Sequence, residues 1–255
     1  MARWPNKKMR RVISITMFAI MVAAIIVGKL PRGPSSSSPD LNSPHLTSPM
    51  PIGVDVSHHQ GAIDWDKLAA DRVSFAYIKA TEGGDWLDTR FAENWRAAKR
   101  TSIARGAYHY FTLCTPADTQ AAHFIKTLGP LDNDLPPALD VEQMEPCSDG
   151  STLQTPAEGV GIFLDIVEAH YGVRPIIYTT RDFHDAHLQS MSGERFWVSS
   201  IHNQPDWRTK DWVIWQFSHR GTRAGIHGAV DMNRLKGDTE TLSAMRVSGP
   251  EQGGR

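Results

Sequence analysis

The chain has 255 residues, of which 40% are hydrophobic and 22% charged, and its formal net charge is −1. These values are ordinary for a globular protein with a buried core, and the length suits one large domain or two small ones. Residues 1–30 hold six basic residues and no acid, so the other 225 residues carry a net charge of −7. This acidic body argues against nucleic acid as the main partner, because binding phosphates requires a basic face.

The N-terminal segment, residues 1–30, has the pattern of an export signal or a membrane anchor. Residues 12–28 form an almost unbroken apolar run without charges, directly after a cluster of Lys and Arg. A basic flank before such a run keeps the N-terminus in the cytoplasm. Because no small-residue cleavage site follows, we expect an uncleaved anchor in the cytoplasmic membrane, with the rest of the chain facing the periplasm or cell wall. Secretion after cleavage is the alternative.

The next segment, residues 31–51, contains six prolines and four consecutive serines. Such a composition cannot bury a core and predicts an extended tether of roughly 60 Å. We place a single folded domain at residues 52–246. The Gly-rich, polar residues 247–255 are predicted to be a disordered tail.

Short apolar runs alternate with helical patterns in the folded domain. Eight strands are predicted, at 52–56, 74–79, 104–111, 136–142, 175–179, 196–199, 212–217 and 229–232. Helices are predicted at 64–70, 89–101, 116–128 and 156–171. This alternation predicts a parallel α/β sheet. Beyond residue 179 the spacers are short and lack a helical period, which favours a closed barrel whose second half has lost its outer helices. A flat doubly wound sheet is the alternative, and it would need covering helices late in the chain.

Four acids follow the ends of predicted strands. Asp140 and Glu142 alternate along the fourth strand and therefore share one face. Asp55 lies near the end of the first strand and Asp231 near the end of the eighth, and these two strands are neighbours in a closed barrel. Barrel enzymes take catalytic residues from the C-terminal ends of several strands. We therefore expect four carboxylates around one mouth, although ordinary solvated acids remain the alternative for the Asp140–Glu142 pair considered alone.

Several motifs resemble those of the glycoside hydrolase family 25 muramidases, the Chalaropsis-type lysozymes. The resemblance covers about 190 residues, from Ile52 to roughly Met245, and it depends on the order and spacing of the motifs together. The motifs are Gly53 to Gly61 with Ile63-Asp64-Trp65, Phe75 to Gly83, Gly106 to Phe111, Ala138 to Glu142, Pro175 to Thr179, Trp215 to Ser218, and Val230 to Asn233.

The resemblance implies an irregular TIM-like (β/α)5(β)3 barrel with one catalytic domain. It implies cleavage of the β-1,4 bond between N-acetylmuramic acid and N-acetylglucosamine in peptidoglycan. Glu142 then acts as the general acid, Asp140 orients the reacting group or stabilises developing charge, and Asp55 and Asp231 complete the acidic floor.

The stereochemical outcome depends on the distance between the two carboxylates. Alternate strand residues have Cβ atoms roughly 7 Å apart. This spacing exceeds the roughly 5–5.5 Å that is usual for a direct carboxylate nucleophile. We therefore expect the N-acetyl group of the substrate to attack, and an inverting reaction with water is the alternative.

Aromatic residues near the strand ends are candidates for contact with sugar rings, and core packing is the alternative for each. They are Tyr108, Tyr178, Trp197 and Trp215. His58 and His59 lie close to Asp55 in sequence, but they lack the spacing of metal ligands. We therefore expect neither a metal nor another cofactor.

The two cysteines, Cys114 and Cys147, follow neighbouring predicted strands. In an exported protein this arrangement favours a disulfide, and free buried thiols are the alternative. We expect a monomer whose partners are peptidoglycan glycan strands and, through residues 1–30, the membrane. Two competing functions remain: a tethered peptidoglycan-binding module without activity, and a glycosidase for another glycan such as chitin.

Overall fold

A computed structural model describes residues 50–142, 147, 153–201, 203–208 and 210–249. The predicted membrane anchor, residues 1–30, and all but the last two residues of the predicted tether lie outside this part. Within the described part, no helix combines the length and the apolar character needed to cross a membrane.

Eight strands form a closed barrel, which confirms the predicted barrel and excludes the flat sheet. The ring order is β1-β2-β4-β5-β6-β7-β8-β9, and β9 pairs with β1. The unpredicted strand β3 extends β2 as a short antiparallel hairpin. The strands are β1 Ile52–Val56, β2 Phe75–Glu82, β3 Trp86–Leu87, β4 Ala104–Tyr110, β5 Ala138–Asp140, β6 Ile176–Thr180, β7 Phe196–Ser199, β8 Trp212–Gly221 and β9 Val230–Leu235.

The last strand, β9, runs antiparallel to both of its neighbours, whereas the other barrel strands are parallel. The sequence placed Asp231 near the end of a strand at 229–232, but it is the second residue of β9. Because β9 is reversed, its beginning lies at the same mouth as the ends of the parallel strands. Asp231 therefore pairs in register with Asp55 near the end of β1.

Helices pack outside the barrel, mainly in its first half. The four predicted helices are present as α1 Trp65–Ala70, α2 Phe91–Lys99, α3 Ala117–Leu128 and α4 Pro156–Tyr171, and a short 3₁₀ turn covers His58–Gln60. Two short helical segments beyond residue 179 were not predicted. Helix α5, Arg181–Phe183, continues into a π-helical turn at His184–Leu188, and α6 covers Thr239–Ala244. These segments are too short to produce a recognisable helical period in the sequence.

Helix α4 shows how local signals set an element. Thr155 caps the backbone N–H of Glu158, Glu158 binds back to Thr155, and Pro156 occupies the first turn. This capping box satisfies N–H groups that the helix itself cannot. The helix ends at Gly172, which adopts the left-handed conformation with φ of 70°. Its apolar stripe is fully buried against the barrel and comprises Val160, Phe163, Leu164 and Val167.

The inward-facing side chains fill the barrel below the mouth. They include Phe75, Tyr77, Ala104, Ala138, Ile176, Tyr178, Trp197, Ile214 and Leu235. Two glycines make room for the largest rings: a Cβ atom on Gly53 would lie 2.4 Å from the Phe75 ring, and one on Gly106 would lie 2.4 Å from the Tyr77 ring. The barrel is thus a packed core, and space for a ligand remains only at its ends.

The folded domain extends slightly beyond both predicted boundaries. Pro51 is buried, its carbonyl accepts the Leu235 N–H at 3.0 Å, and Met50 packs against the core. At the other end, Val247 pairs with Asp134 through a backbone hydrogen bond of 2.8 Å. Met50 and Pro51 therefore do not belong to the tether, and Val247 is ordered rather than part of the tail.

Candidate active site

The four predicted acids occupy one mouth of the barrel. On β1 the neighbours of Asp55, Val54 and Val56, face the outer core, so Asp55 faces inward. The same alternation directs Asp140 inward, because Leu139 and Val141 belong to the outer core. The predicted strand included Glu142, whereas β5 ends at Asp140 and Glu142 lies two residues beyond it.

The pair Asp140 and Glu142 is poorly solvated. Burial raises the pKa of both carboxyls, and the charge of Glu142 raises the pKa of Asp140 further. The ammonium of Lys79 acts in the opposite direction on both. Asp140 Oδ1 is buried without a hydrogen-bond partner among the described residues. Two buried carboxyls that interact in this way titrate as a unit.

Asp55 is held by two amide side chains. Its Oδ2 atom accepts hydrogen bonds from Asn233 Nδ2 at 2.7 Å and Gln216 Nε2 at 3.0 Å. Burial, and after it the charge of Asp231, raises the pKa of Asp55 to about 7, although the two amide donors oppose this shift. Asp55 therefore changes its charge in the neutral range, far above the usual range of an aspartate.

His219 adds a cation to the acidic mouth. Its Nδ1 lies 3.0 Å from Asp231 Oδ1, and this contact raises the pKa of His219. The imidazolium in turn favours the ionised form of Glu142. His219, Gln216 and Asn233 were not predicted as site residues. A usable signal was present, because Asn233 lies two residues from Asp231 and so shares its face of β9.

Only two of the four aromatic candidates lie close to the acids. The charges of Asp55 and Asp140 affect both Tyr108 and Tyr178, whose hydroxyl pKa values burial raises well above 10. Both hydroxyls therefore remain neutral and able to donate. The Tyr178 hydroxyl donates to Gln216 Oε1 at 2.9 Å.

The two tryptophan candidates have structural positions. Trp197 is 2% exposed inside the barrel and contacts the rings of Tyr77, Tyr108 and Tyr178. It supports the floor of the mouth and has no free face for a sugar. Trp215 faces outward, because its β8 neighbours Ile214 and Gln216 face inward, and its Nε1 donates to the Ser200 carbonyl at 2.7 Å.

A cation and two aromatic rings lie beside the acids at the end of β2. Lys79 Nζ is 2.8 Å from Glu82 Oε2, 5.0 Å from the centre of the Trp86 ring and 4.8 Å from that of Tyr110. Trp86 belongs to β3, which was not predicted. This side of the mouth therefore combines a mostly buried ammonium with a wall of aromatic rings.

The histidines near Asp55 in sequence have other contacts. His58 Nδ1 lies 2.9 Å from the Oδ2 atom of the buried Asp88, which also accepts the His58 backbone N–H. His109 lies outside the barrel between Thr81 and Gln120, and burial lowers its pKa to about 3. Across the described ranges, no group of three or more His, Cys, Asp or Glu is placed to hold a metal ion.

A disulfide joins Cys114 and Cys147, whose Cα atoms are 5.3 Å apart. The first cysteine follows β4 and the second follows Glu142 by five residues. The bond therefore links the segment after β4 to the segment after Glu142.

Comparisons with known proteins agree with this geometry. A sequence model of glycosyl hydrolases family 25 matches residues 54–226. The uncharacterized protein YegX of Escherichia coli strain K12 is 37% identical over 199 residues, which are 75% of this chain and 72% of YegX. Lysozyme M1 of Streptomyces globisporus is 34% identical over 212 residues, 76% of this chain and 70% of that protein. The structure of a family 25 glycosyl hydrolase from Bacillus anthracis aligns with a TM-score of 0.69 at 32% identity, over 76% of this chain and 92% of that one.

A barrel of this kind with an acidic mouth, found together with these relatives, defines a glycoside hydrolase of the lysozyme type. The match to the family model covers more than half of the chain. The chain belongs to glycosyl hydrolases family 25.

Proposed function

We propose that this protein is an N-acetylmuramidase that cleaves the β-1,4 bond between N-acetylmuramic acid and N-acetylglucosamine in peptidoglycan. Cleavage of a glycosidic bond passes through an oxocarbenium-like state, which requires a proton at the leaving oxygen and negative charge near the ring. Glu142 donates the proton, and Asp140 orients the acetamido group of the substrate. Asp55 and Asp231 supply negative charge. Tyr108 and Tyr178 bind the sugar.

The observation that carries this proposal is that Asp140 Oδ1 is buried and has no hydrogen-bond partner within the part of the chain that the structure describes. A buried carboxylate oxygen without a donor is costly, and a ligand N–H that reaches it relieves this cost. The acetamido N–H of the substrate is such a donor. By accepting it, Asp140 orients the acetamido group so that its carbonyl oxygen attacks the anomeric carbon.

Glu142 suits the role of the acid because it lies two residues beyond the end of β5, whereas Asp140 is the last residue of that strand and its Oδ1 atom is buried. When Asp140 accepts the substrate N–H, it is stabilised as a carboxylate, and the proton of the pair stays on Glu142. Burial raises the pKa of Glu142, which keeps it protonated at a higher pH than an exposed glutamate.

Replacing Glu142 with Gln tests this assignment. We expect the release of reducing ends from peptidoglycan to fall by about 10²–10⁴-fold, because the general acid is lost. The thermal midpoint should change little, since the amide has the same shape. Glu240→Gln on the exposed surface is the control and should keep full activity. Retained activity in Glu142→Gln would remove Glu142 from the mechanism.

The same digestion distinguishes the substrates. Mass spectrometry should find N-acetylmuramic acid at the new reducing ends, and a chitin oligomer should remain uncut. Cleavage of chitin at a comparable rate would favour the broader glycosidase. An inactive wild-type protein that still sediments with peptidoglycan would favour the binding module.

The stereochemistry provides a separate test of the role of Asp140. Attack by the acetamido group followed by water gives net retention, so NMR of the first products should show the β-anomer. An α-anomer as the first product would instead indicate direct attack by water and would contradict the proposed role.

We further propose that residues 1–30 anchor the protein in the cytoplasmic membrane and that the domain acts as a monomer outside the cytoplasm. The charge and hydropathy pattern of the segment supports the anchor, and the disulfide fits an oxidising compartment. The full-length protein should fractionate with membranes and resist carbonate extraction. A mature N-terminus beyond residue 30 would indicate secretion after cleavage instead.

A further inference from the structure

A chain of buried side chains connects Trp197 to Asp55. Trp197 Nε1 donates to Asn233 Oδ1 at 2.8 Å, and Asn233 Nδ2 donates to Asp55 Oδ2 at 2.7 Å. A second branch reaches the same oxygen from Tyr178 through Gln216. All five residues are at most 8% exposed.

The two branches differ in what fixes the orientation of their amide side chain. An indole N–H can only donate, so Asn233 must turn its carbonyl oxygen toward Trp197 and its NH₂ group toward Asp55. A tyrosine hydroxyl can donate or accept, so the branch through Gln216 has no direction of its own. Trp197 alone therefore dictates that a donor faces Asp55 Oδ2.

We propose that Trp197 is a positioning residue for catalysis: through Asn233 it keeps an N–H donor on Asp55 Oδ2, so that Asp55 is maintained as a carboxylate with Oδ1 left for the substrate. This inference rests on the proposed function, in which negative charge beside the sugar ring is required. It extends that function by giving a catalytic task to a tryptophan that cannot touch the substrate.

The physical basis is a competition at Asp55. Burial favours the neutral form, and the two amide donors favour the ionised form. Without the indole N–H, Asn233 can turn its carbonyl oxygen toward Asp55, an arrangement that requires a proton between the two oxygens. Loss of the indole donor therefore stabilises neutral Asp55. The other titratable groups that act on Asp55 or are affected by it are Asp231, His219, Asp140, Tyr108 and Tyr178.

Trp197→Phe tests the proposal in the full-length protein. We expect the acid limb of kcat/KM on peptidoglycan to move upward by about 0.5–1 pH unit, which is a three- to tenfold loss on the acid side that recovers at alkaline pH. Trp65→Phe is a matched control, because Trp65 is also buried and donates its Nε1–H to an asparagine, Asn94, at 3.2 Å. Trp65 lies on α1, and its variant should keep the wild-type limb.

A ¹³C NMR titration measures the pKa of the Asp55 carboxyl directly and without turnover. Its midpoint should rise in Trp197→Phe. Asn233→Asp is a second variant that preserves the shape and the acceptor for Trp197 but replaces the donor with an oxygen. Its midpoint should rise further. If the Asp55 midpoint stays at its wild-type value in Trp197→Phe, the proposal is overturned whatever happens in Asn233→Asp, because a carboxyl at position 233 raises the pKa of Asp55 by its own charge. A wild-type protein that releases no reducing ends from peptidoglycan would instead overturn the proposed function, and the Asp55 titration would still test the positioning role of Trp197.

Discussion

At the scale of single residues, Asp55 shows how a site can oppose the stability of its own fold. A buried carboxyl whose pKa is raised to about 7 binds its proton more tightly in the folded protein than in the unfolded chain. Between about pH 4 and pH 7 the folded state holds this proton and the unfolded chain does not. Unfolding therefore releases a proton, and the free energy of unfolding falls as the pH rises through this range.

Replacing Asp55 with Asn should remove this loss. We expect the variant to be more stable than the wild type above pH 7 and to lose this advantage below pH 4, while its activity is abolished. Thermal unfolding at pH 4 and pH 8 measures both effects. Asp66→Asn on the exposed surface of α1 serves as the control. An equal decline with pH in Asp55→Asn and the wild type would contradict the assignment.

His219 leads to a prediction about the basic limb of the pH dependence of kcat/KM. Its imidazolium favours ionised Glu142, so its removal raises the pKa of Glu142 and keeps the general acid protonated to a higher pH. His219→Asn should therefore move the basic limb of kcat/KM to higher pH. His227→Asn, on an exposed loop between β8 and β9, should leave the limb unchanged. A shift to lower pH in His219→Asn would contradict this account.

At the scale of elements, the sequence predicted what depends on local signals. Helix α4 has the predicted bounds because Thr155, Pro156 and Gly172 determine its ends within a few residues of chain. The direction of β9 was missed because it depends on pairing with β1 and β8, which are distant in sequence. Trp215 remained a candidate for sugar contact because the sequence around a single aromatic residue does not reveal which side of its strand faces the barrel.

The site shows the same division. The four carboxylates were found because acids near the ends of barrel strands are candidates for catalysis. The residues that hold and tune them, Gln216, Asn233 and His219, were not assigned because their partners lie on other strands. Sequence patterns therefore identified the carboxylates at the mouth and left out the residues that control their charge.

The disulfide leads to a prediction about the stability of the fold. It closes a loop of 33 residues, so replacing both Cys114 and Cys147 with Ser should cost about 3–4 kcal/mol of unfolding free energy. Chemical denaturation of the variant measures this loss, and the wild type unfolded under reducing conditions should match it. Two free thiols in protein recovered from outside the cytoplasm would show that the bond does not form there.

At the scale of the whole molecule, the closed ring determines how the acids meet. The acids come from three distant parts of the chain. The packed interior below them, with Gly53 and Gly106 beneath the rings of Phe75 and Tyr77, keeps the floor rigid. A rigid floor keeps the carboxylates in place before substrate arrives, which is the condition for electrostatic catalysis.

The reversed last strand has a consequence for biosynthesis. Asp55 is in the first strand of the barrel and Asp231 is in the last, and β9 joins β1 to β8. A nascent chain that lacks β9 has an open ring, an Asp55 without its Asn233 partner, and no Asp231. Since synthesis proceeds from the N-terminus, the acidic mouth is complete only after β9 has been made. The topology thus delays the hydrolase until the last strand of the barrel has been made.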